Sequence, residues 1–217
     1  MNDPAAERAA ERERLMLAAL SHVAFDGWTR TALSHGTRDA GLDATDAGRL
    51  FPGGPAELVC AFSDWADQRM VERMAASDVE ALHTRDRIRL AVRIRIEAIA
   101  RYREAVRRGL AHFIFPANAA SGLKTIYRTV DALWYAAGDR AADFGFYTKR
   151  GLLAGVFSMT LVYWLDDASE DNEATWSFLD RRIDDVMRIQ RVRGRLERVV
   201  AGLPNPFRLF SAFAPRR

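Results

Sequence analysis

Apolar residues recur every three or four positions along most of the chain, and the runs are bounded by caps, glycines or prolines, which predicts helices throughout. From about Ala5 to Ala24, Leu15, Ala19 and Val23 lie on one helical face; Asp26-Gly27-Trp28 ends that run, and Thr29 or Thr31 can cap the next. The text TRTALSHGTRDAGLDATDAGRLFPGGPAELVCAF then has the cadence of a helix-turn-helix. It reads as a short helix, a turn at Gly41, a second helix near Thr45 to Leu50, and a longer helix running to about Ala76 that buries Leu58, Phe62 and Trp65. Between Asp86 and Arg108 the string RIRLAVRIRI alternates like a strand. Ile88, Val92, Ile96, Ile99, Tyr102 and Val106 nevertheless stay within about 120° at helical spacing, over a run too long for an ordinary strand, so one helix is predicted. Leu90 and Ile94 fall on its other side, so protein should cover two of its faces. Gly109 to Pro116 reads as an apolar helix end stopped by proline, and Asn118 to Gly122 as a loop. Lys124 to Ala137 follows as a helix with Ile126, Val130, Leu133, Trp134 and Ala137 on its apolar side, ended by Gly138.

The densest text runs from Asp143 to Met187. Asp143 can cap a helix that includes Gly151 to Leu165, fifteen residues without a charge, between Lys149–Arg150 and Asp166–Asp167. That is about five residues short of a membrane span, so a helix buried in protein is expected. Gly151, Ala154, Gly155 and Ser158 make one of its sides small, which suits either close packing of another backbone or volume for a ligand. After DDASEDN, Trp176, Leu179, Ile183 and Val186 form a stripe. Past Met187 the stripe of Ile189, Val192, Leu196, Val199, Val200 and Leu203 is rotated by about 120°, which predicts a break near Met187 to Gln190. Arg188, Arg191, Arg195 and Arg198 lie opposite the second stripe, and Phe207, Phe210 and Phe213 follow. Such a segment suits an anionic membrane surface or a partner groove, although the aromatics can also cover the protein's own core. The candidate membrane-binding residues are Arg191, Arg195, Arg198, Leu196, Val199, Phe207 and Phe210. The predicted units are residues 1–55, 56–187 and 188–217.

Composition narrows the classes. With 217 residues and 49% hydrophobic content the chain can bury a substantial core. Cys60 is the lone cysteine, so no intramolecular disulfide framework exists, and the opening MNDPAAERAAERERL resembles neither a secretory signal nor an acid-poor presequence. A bacterial cytoplasmic protein, peripheral to the inner membrane, is the expectation. Net charge is +3, but Val186 to the end carries +7, leaving −4 for the rest. The candidate recognition helix holds Asp43 and Asp46 with Arg49 as its only cation, a poor match to base edges and phosphates, so no nucleic-acid partner is expected. His22, His35, His83 and His112 fit no zinc spacing, and there is no G-x-G-x-x-G, P-loop or G-x-S-x-G. The adjacent acids Asp166–Asp167 and Asp184–Asp185 read as a charged turn and a solvated face. No metal and no catalytic centre are expected.

DFGFYTKR, the spaced Leu153 to Thr160 pattern, YWLDDAS and TWSFLDRRIDDVM together resemble the signature of the ubiquinone-biosynthesis accessory family, the ninth protein of the coenzyme Q pathway. The helix-turn-helix text resembles the DNA-binding domain of tetracycline-repressor regulators. The resemblance implies an all-α, tetracycline-repressor-like fold of about nine or ten helices, with a small N-terminal unit and a larger bundle holding an apolar cavity. It also implies a non-enzymatic protein that binds an isoprenoid lipid or quinone precursor and delivers it, at a membrane, to the di-iron demethoxyubiquinone hydroxylase. Burying the lipid's tail would leave its head group reachable. The expected cavity residues are Trp134, Phe157, Leu161, Trp164, Trp176 and Leu179, each also open to plain core packing. The hydroxylase-docking patch implied by the resemblance is Asp143, Phe146, Tyr147 and Arg150, with Leu133 and Ala137 beside it. Gly145 and Phe146 depart from the family's usual Asn and Trp, losing side-chain hydrogen-bond capacity and contact area. A homodimer is expected. The alternative is a ligand-responsive regulator using the same cavity to sense an apolar effector.

Overall fold

The computed structural model describes residues 3–138 and 146–201, with the side chains of 146–147 and 189–201 outside that description. Nine α-helices and no strand are found among the described residues. They are α1 (Pro4–Asp26), α2 (Arg30–Asp39), α3 (Asp46–Leu50), α4 (Gly54–Ala75), α5 (Thr84–Ala98), α6 (Arg103–Ile114), α7 (Pro116–Ala136), α8 (Phe146–Asp166) and α9 (Glu173–Ala201). The all-α expectation therefore stands.

The N-terminal unit forms where its caps say it should. Asp3 accepts from the Ala5 amide at the start of α1, and Thr29 accepts from Ala32 at the start of α2. Gly27, at φ +70, turns the chain between them, and Gly36 lies so close to Ala19 that an added Cβ would sit 2.6 Å from its backbone. Leu15, Ala19 and Val23 are fully buried on the face that α2 covers. The larger bundle is built around α7, which packs on α4, α5, α6 and α8, while α9 closes the far side against α5 and α8.

Several boundaries differ from the sequence reading. The run from Asp86 to Arg108 is not one helix. Ile99 leaves helical dihedrals, a 3₁₀ turn spans Ala100–Tyr102, and α6 begins afresh at Arg103. The break turns the Tyr102 ring edge-on to Phe62 and Trp65, while α6 goes on to pack against α1 and α7. Asn118 to Gly122 is not a loop but part of α7. Pro116 occupies the first turn of that helix, where its missing N–H costs nothing, and Gly122 allows Phe113 of α6 to approach to where a Cβ would lie 2.8 Å away. The break predicted near Met187 to Gln190 is absent. α9 runs through it as one helix to Ala201, and its ion pairs to α5, Arg89–Asp180 and Arg85–Asp184, come from its earlier turns.

α8 is also less enclosed than a charge-free helix suggests. Leu153, Val156, Phe157, Leu161, Trp164 and Leu165 are buried, but Met159, Val162 and Tyr163 are exposed, and a Cβ at Gly151 or Gly155 would meet nothing within 4 Å. Among the described residues, no neighbouring backbone packs on either glycine.

Candidate functional site

Between α4, α5, α6, α7 and α8 lies a cavity of about 320 Å³, at the lower end of the usual range for small-molecule sites. Its walls are apolar because each helix contributes its inward stripe: Val59 and Phe62 from α4, Leu110 and Phe113 from α6, Ile126 from α7, Phe157 and Leu161 from α8. Trp28 closes one side, and its indole N–H is satisfied by the Ala105 carbonyl at 3.0 Å. Burial along α7 gives the cavity a direction. Ala119 and Leu123 line it while exposed to solvent, whereas Thr125 and Thr129 line it fully inside. The mouth therefore lies at the first turns of α7. Its neighbours Ile114 and Phe115 are exposed at the α6–α7 corner.

The inner end is polar. Arg95 of α5 is only 4% exposed. Its Nε donates to Asp67 Oδ1 at 2.5 Å, and its Nη2 donates to the carbonyl and hydroxyl of Ser63 at 3.2 and 3.1 Å. The other Asp67 oxygen accepts from Thr129 Oγ1 at 2.9 Å. A buried ion pair of this kind is tolerable only when its remaining donors and acceptors are met. The guanidinium also lies 5.9 Å from the centre of the Phe157 ring. Nothing in the periodicity of α5 singles out Arg95, which falls between Ile94 and Ile96. The usable signal is an arginine on a stretch expected to be covered on two faces.

Of the residues expected to contact lipid, Phe157 and Leu161 line this cavity. Trp134 instead lines a second hollow of about 370 Å³, between α5, α7, α8 and α9, beside Ala137, Leu153 and Ile183. Trp164 is fully buried with the Arg103 guanidinium 4.6 Å from its ring centre, and Leu179 is a core residue. Trp176 donates to the Asp171 carbonyl at 2.8 Å and lies under Arg93. The sequence reading missed Trp28, Val59, Phe62, Arg95, Leu110, Phe113 and Ile126. Trp28 sits in the turn between α1 and α2 and the others on helices outside the Asp143 to Met187 stretch, and only the folded chain brings them to one place.

In the expected docking patch, Arg150 is held by Asp131 at 2.9 and 2.6 Å, and Leu133 and Ala137 are buried. Asp143 lies outside the described residues, and Phe146 and Tyr147 are placed only as the first turn of α8. Of the membrane candidates, Arg191, Arg195, Arg198, Leu196 and Val199 fall on the later turns of α9, with side chains outside the described residues; Phe207 and Phe210 lie outside them altogether. No described helix is long and apolar enough to cross a membrane.

Two clusters bear on other chemistries. His22 and Asp26 of α1 meet His35 of α2, with one ligand atom from each lying within 4.8 Å of the others, so histidines that fit no zinc spacing in the sequence do converge in space. His22 Nε2 is also 2.6 Å from Asp39. At the candidate recognition helix, Arg49 is bound to Glu11 at 2.6 Å and Asp46 at 2.8 Å, and these hydrogen bonds, Glu11 first, favour its charged form further. The one cation on that helix is thus paired within the chain, at its surface.

A family model described as COQ9 matches residues 119–190. The chain is 32% identical over 203 residues to a Rattus norvegicus protein named ubiquinone biosynthesis protein COQ9, mitochondrial, covering 88% of this chain and 65% of that protein. It is 31% identical over 203 residues to the Xenopus laevis COQ9-B protein of the same description, covering 88% and 69%. The chain thus spans about two thirds of the length of these relatives, and slightly less for the rat protein. Among solved structures, a TetR transcriptional regulator from Nitrosomonas europaea matches with a TM-score of 0.65 at 22% identity, over 80% of this chain and 95% of the regulator. At that identity the likeness is one of fold.

Proposed function

This chain belongs to the COQ9 family, and from that premise we propose that it is a non-enzymatic lipid-binding protein of ubiquinone biosynthesis, which lifts an isoprenoid quinone precursor from a membrane and presents it to the demethoxyubiquinone hydroxylase. The observation that carries this reading is the apolar cavity, about 320 Å³, opening at α7 beneath an exposed apolar corner. Each CH₂ moved out of water into such a site is worth about 0.8 kcal/mol, so a few isoprene units gain enough to offset several kcal/mol of lost bilayer solvation. Presentation at the membrane follows from the basic stripe and phenylalanines of residues 188–217, which suit anionic lipid. Hydroxylase docking is assigned to Asp143, Phe146, Tyr147 and Arg150, just ahead of α8 in the sequence and at its start. The exposed α8 face around Gly155, Met159 and Val162 suits a second copy of the chain.

Extraction from vesicles tests the lipid step. Liposomes containing an isoprenoid quinone are incubated with the protein and removed by centrifugation. The quinone is expected to appear in the supernatant in proportion to protein; a supernatant without quinone at every protein concentration would remove the function. The regulator alternative finds support in the fold alone, and α3, five residues long with Arg49 committed to Glu11 and Asp46, offers bases and phosphates little.

A further inference from the structure

α1 and α2 carry the same two side chains at the same spacing. His22 and Asp26 are four residues apart on α1, and His35 and Asp39 four residues apart on α2, so on each helix an imidazole and a carboxylate share one face, a turn apart. After the turn at Gly27, α2 folds back on α1 and sets each histidine against the other helix's acid. His22 Nε2 is 2.6 Å from Asp39 Oδ2, and His35 Nδ1 is 3.4 Å from Asp26 Oδ2. Gly36, next to His35, is what lets the helices come this close, since a Cβ there would lie 2.6 Å from the Ala19 backbone. The His22 and His35 rings meet edge to face with their centres 5.0 Å apart. All four side chains are partly exposed, so an ion reaches them from solvent.

Two ion pairs do not account for this cluster. Protonating both imidazoles to match the carboxylates would set two cations face to edge at 5.0 Å. Leaving both neutral gives the cluster two negative charges, and among the described residues neither carboxylate pairs with an arginine or lysine. The His35–Asp26 separation, 3.4 Å, is also long for a hydrogen bond. It matches instead the spacing of about 3.3 Å between neighbouring donors around a tetrahedral zinc ion with bonds of about 2.0 Å.

We propose that His22, Asp26 and His35 bind a divalent transition-metal ion of the zinc type, which ties α1 to α2. One ligand atom from each already lies within 4.8 Å of the others, a gap that rotation of partly exposed side chains closes. Asp39 is a positioning residue: it accepts from His22 Nε2, which fixes the ring and leaves its other nitrogen for the ion. Water takes the fourth position. Mixed imidazole and carboxylate donors favour such a metal over calcium or magnesium, which take oxygen ligands. A single dication balances both carboxylates. The site is separate from the lipid cavity and does not rest on the lipid-binding reading.

The test is calorimetric titration of zinc chloride into the chelator-treated full chain, with thermal unfolding measured alongside and cobalt(II) as a spectroscopic stand-in. One zinc ion per chain is expected to bind and to raise the Tm, and cobalt is expected to give the visible absorption of a tetrahedral site. Magnesium is expected to do neither. His22→Gln with His35→Gln is expected to abolish binding and the Tm rise while the protein stays helical by circular dichroism, and His83→Gln to change nothing. Asp39→Asn is expected to weaken zinc roughly tenfold to a hundredfold while keeping the cobalt spectrum, as loss of a group that orients a ligand does. Absence of one-to-one zinc binding by the wild type, or wild-type affinity in the double variant, would overturn the site. Binding without a rise in Tm would overturn the link between the helices. Asp26→Asn, which alters a ligand at the exposed end of α1, is expected to weaken binding as well, and it keeps the test decisive if the double variant does not fold; unchanged affinity there would also overturn the site.

Discussion

Asp167 is buried at the corner between α8 and α9, where one oxygen accepts from the Ser169 amide and hydroxyl at 2.8 and 2.6 Å and the other from the Thr175 amide and hydroxyl at 2.8 and 2.5 Å. Burial pushes its carboxyl up, but the hydrogen bonds from Ser169 and Thr175 outweigh that and hold it well below the usual carboxylate range. Because the folded value is depressed, the stabilisation is present above the unfolded value of about 3.9 and is lost as pH falls through the folded value. Asp167→Asn is expected to cost about 1–3 kcal/mol at neutral pH, since an amide cannot accept from all four donors, and the gap to wild type should narrow below about pH 4. Urea unfolding at both pH values checks this; a gap that does not change with pH would show that the carboxylate charge is not what the corner uses. Adjacency to Asp166 makes Asp167 look like a solvated turn residue in the sequence, because nothing local reveals that Ser169 and Thr175 fold back over it. Arg95 is hidden for the same reason, as its partners Asp67 and Ser63 come from α4 and Asp67 is held in turn by Thr129 of α7.

Helix order and phase were legible in the sequence because each helix buries one stripe, and the stripe is a property of spacing alone. The end of α1, the Thr29 cap, the α4 stripe and the glycine stop at Gly138 all follow from local chemistry. The misread boundaries share a cause. A three-residue 3₁₀ turn shifts the helical phase by only about 60°, so the stripe from Ile88 to Val106 reads as continuous across the break at Ala100–Tyr102. Gly122 and Pro116 look like loop residues by propensity, and contact with Phe113 together with the first-turn position overrides that. α9 gives the reverse error, a change of stripe with no break. Amide hydrogen exchange is expected to show protection passing through residues 187–190 without a fast-exchanging gap; a cluster of fast amides there, flanked by slower ones on both sides, would restore the hinge.

The whole molecule places an apolar cavity in the bundle beside a three-helix N-terminal unit whose recognition-type helix has its single arginine tied down, with a long C-terminal helix leading into the basic tail. In the proposed function a regulator-like architecture serves lipid handling, with the cavity holding cargo where a regulator would sense an effector. The central claim is that this cavity, and no other surface, holds an isoprenoid. Native mass spectrometry with lipid extraction, on wild type and on Ile126→Trp purified gently from a ubiquinone-making host, tests it most directly, because the indole would fill the space that Ile126 borders. The wild type is expected to carry an isoprenoid quinone or precursor and the variant to be empty while still helical. Equal lipid on both proteins, or none on the wild type, would contradict the account.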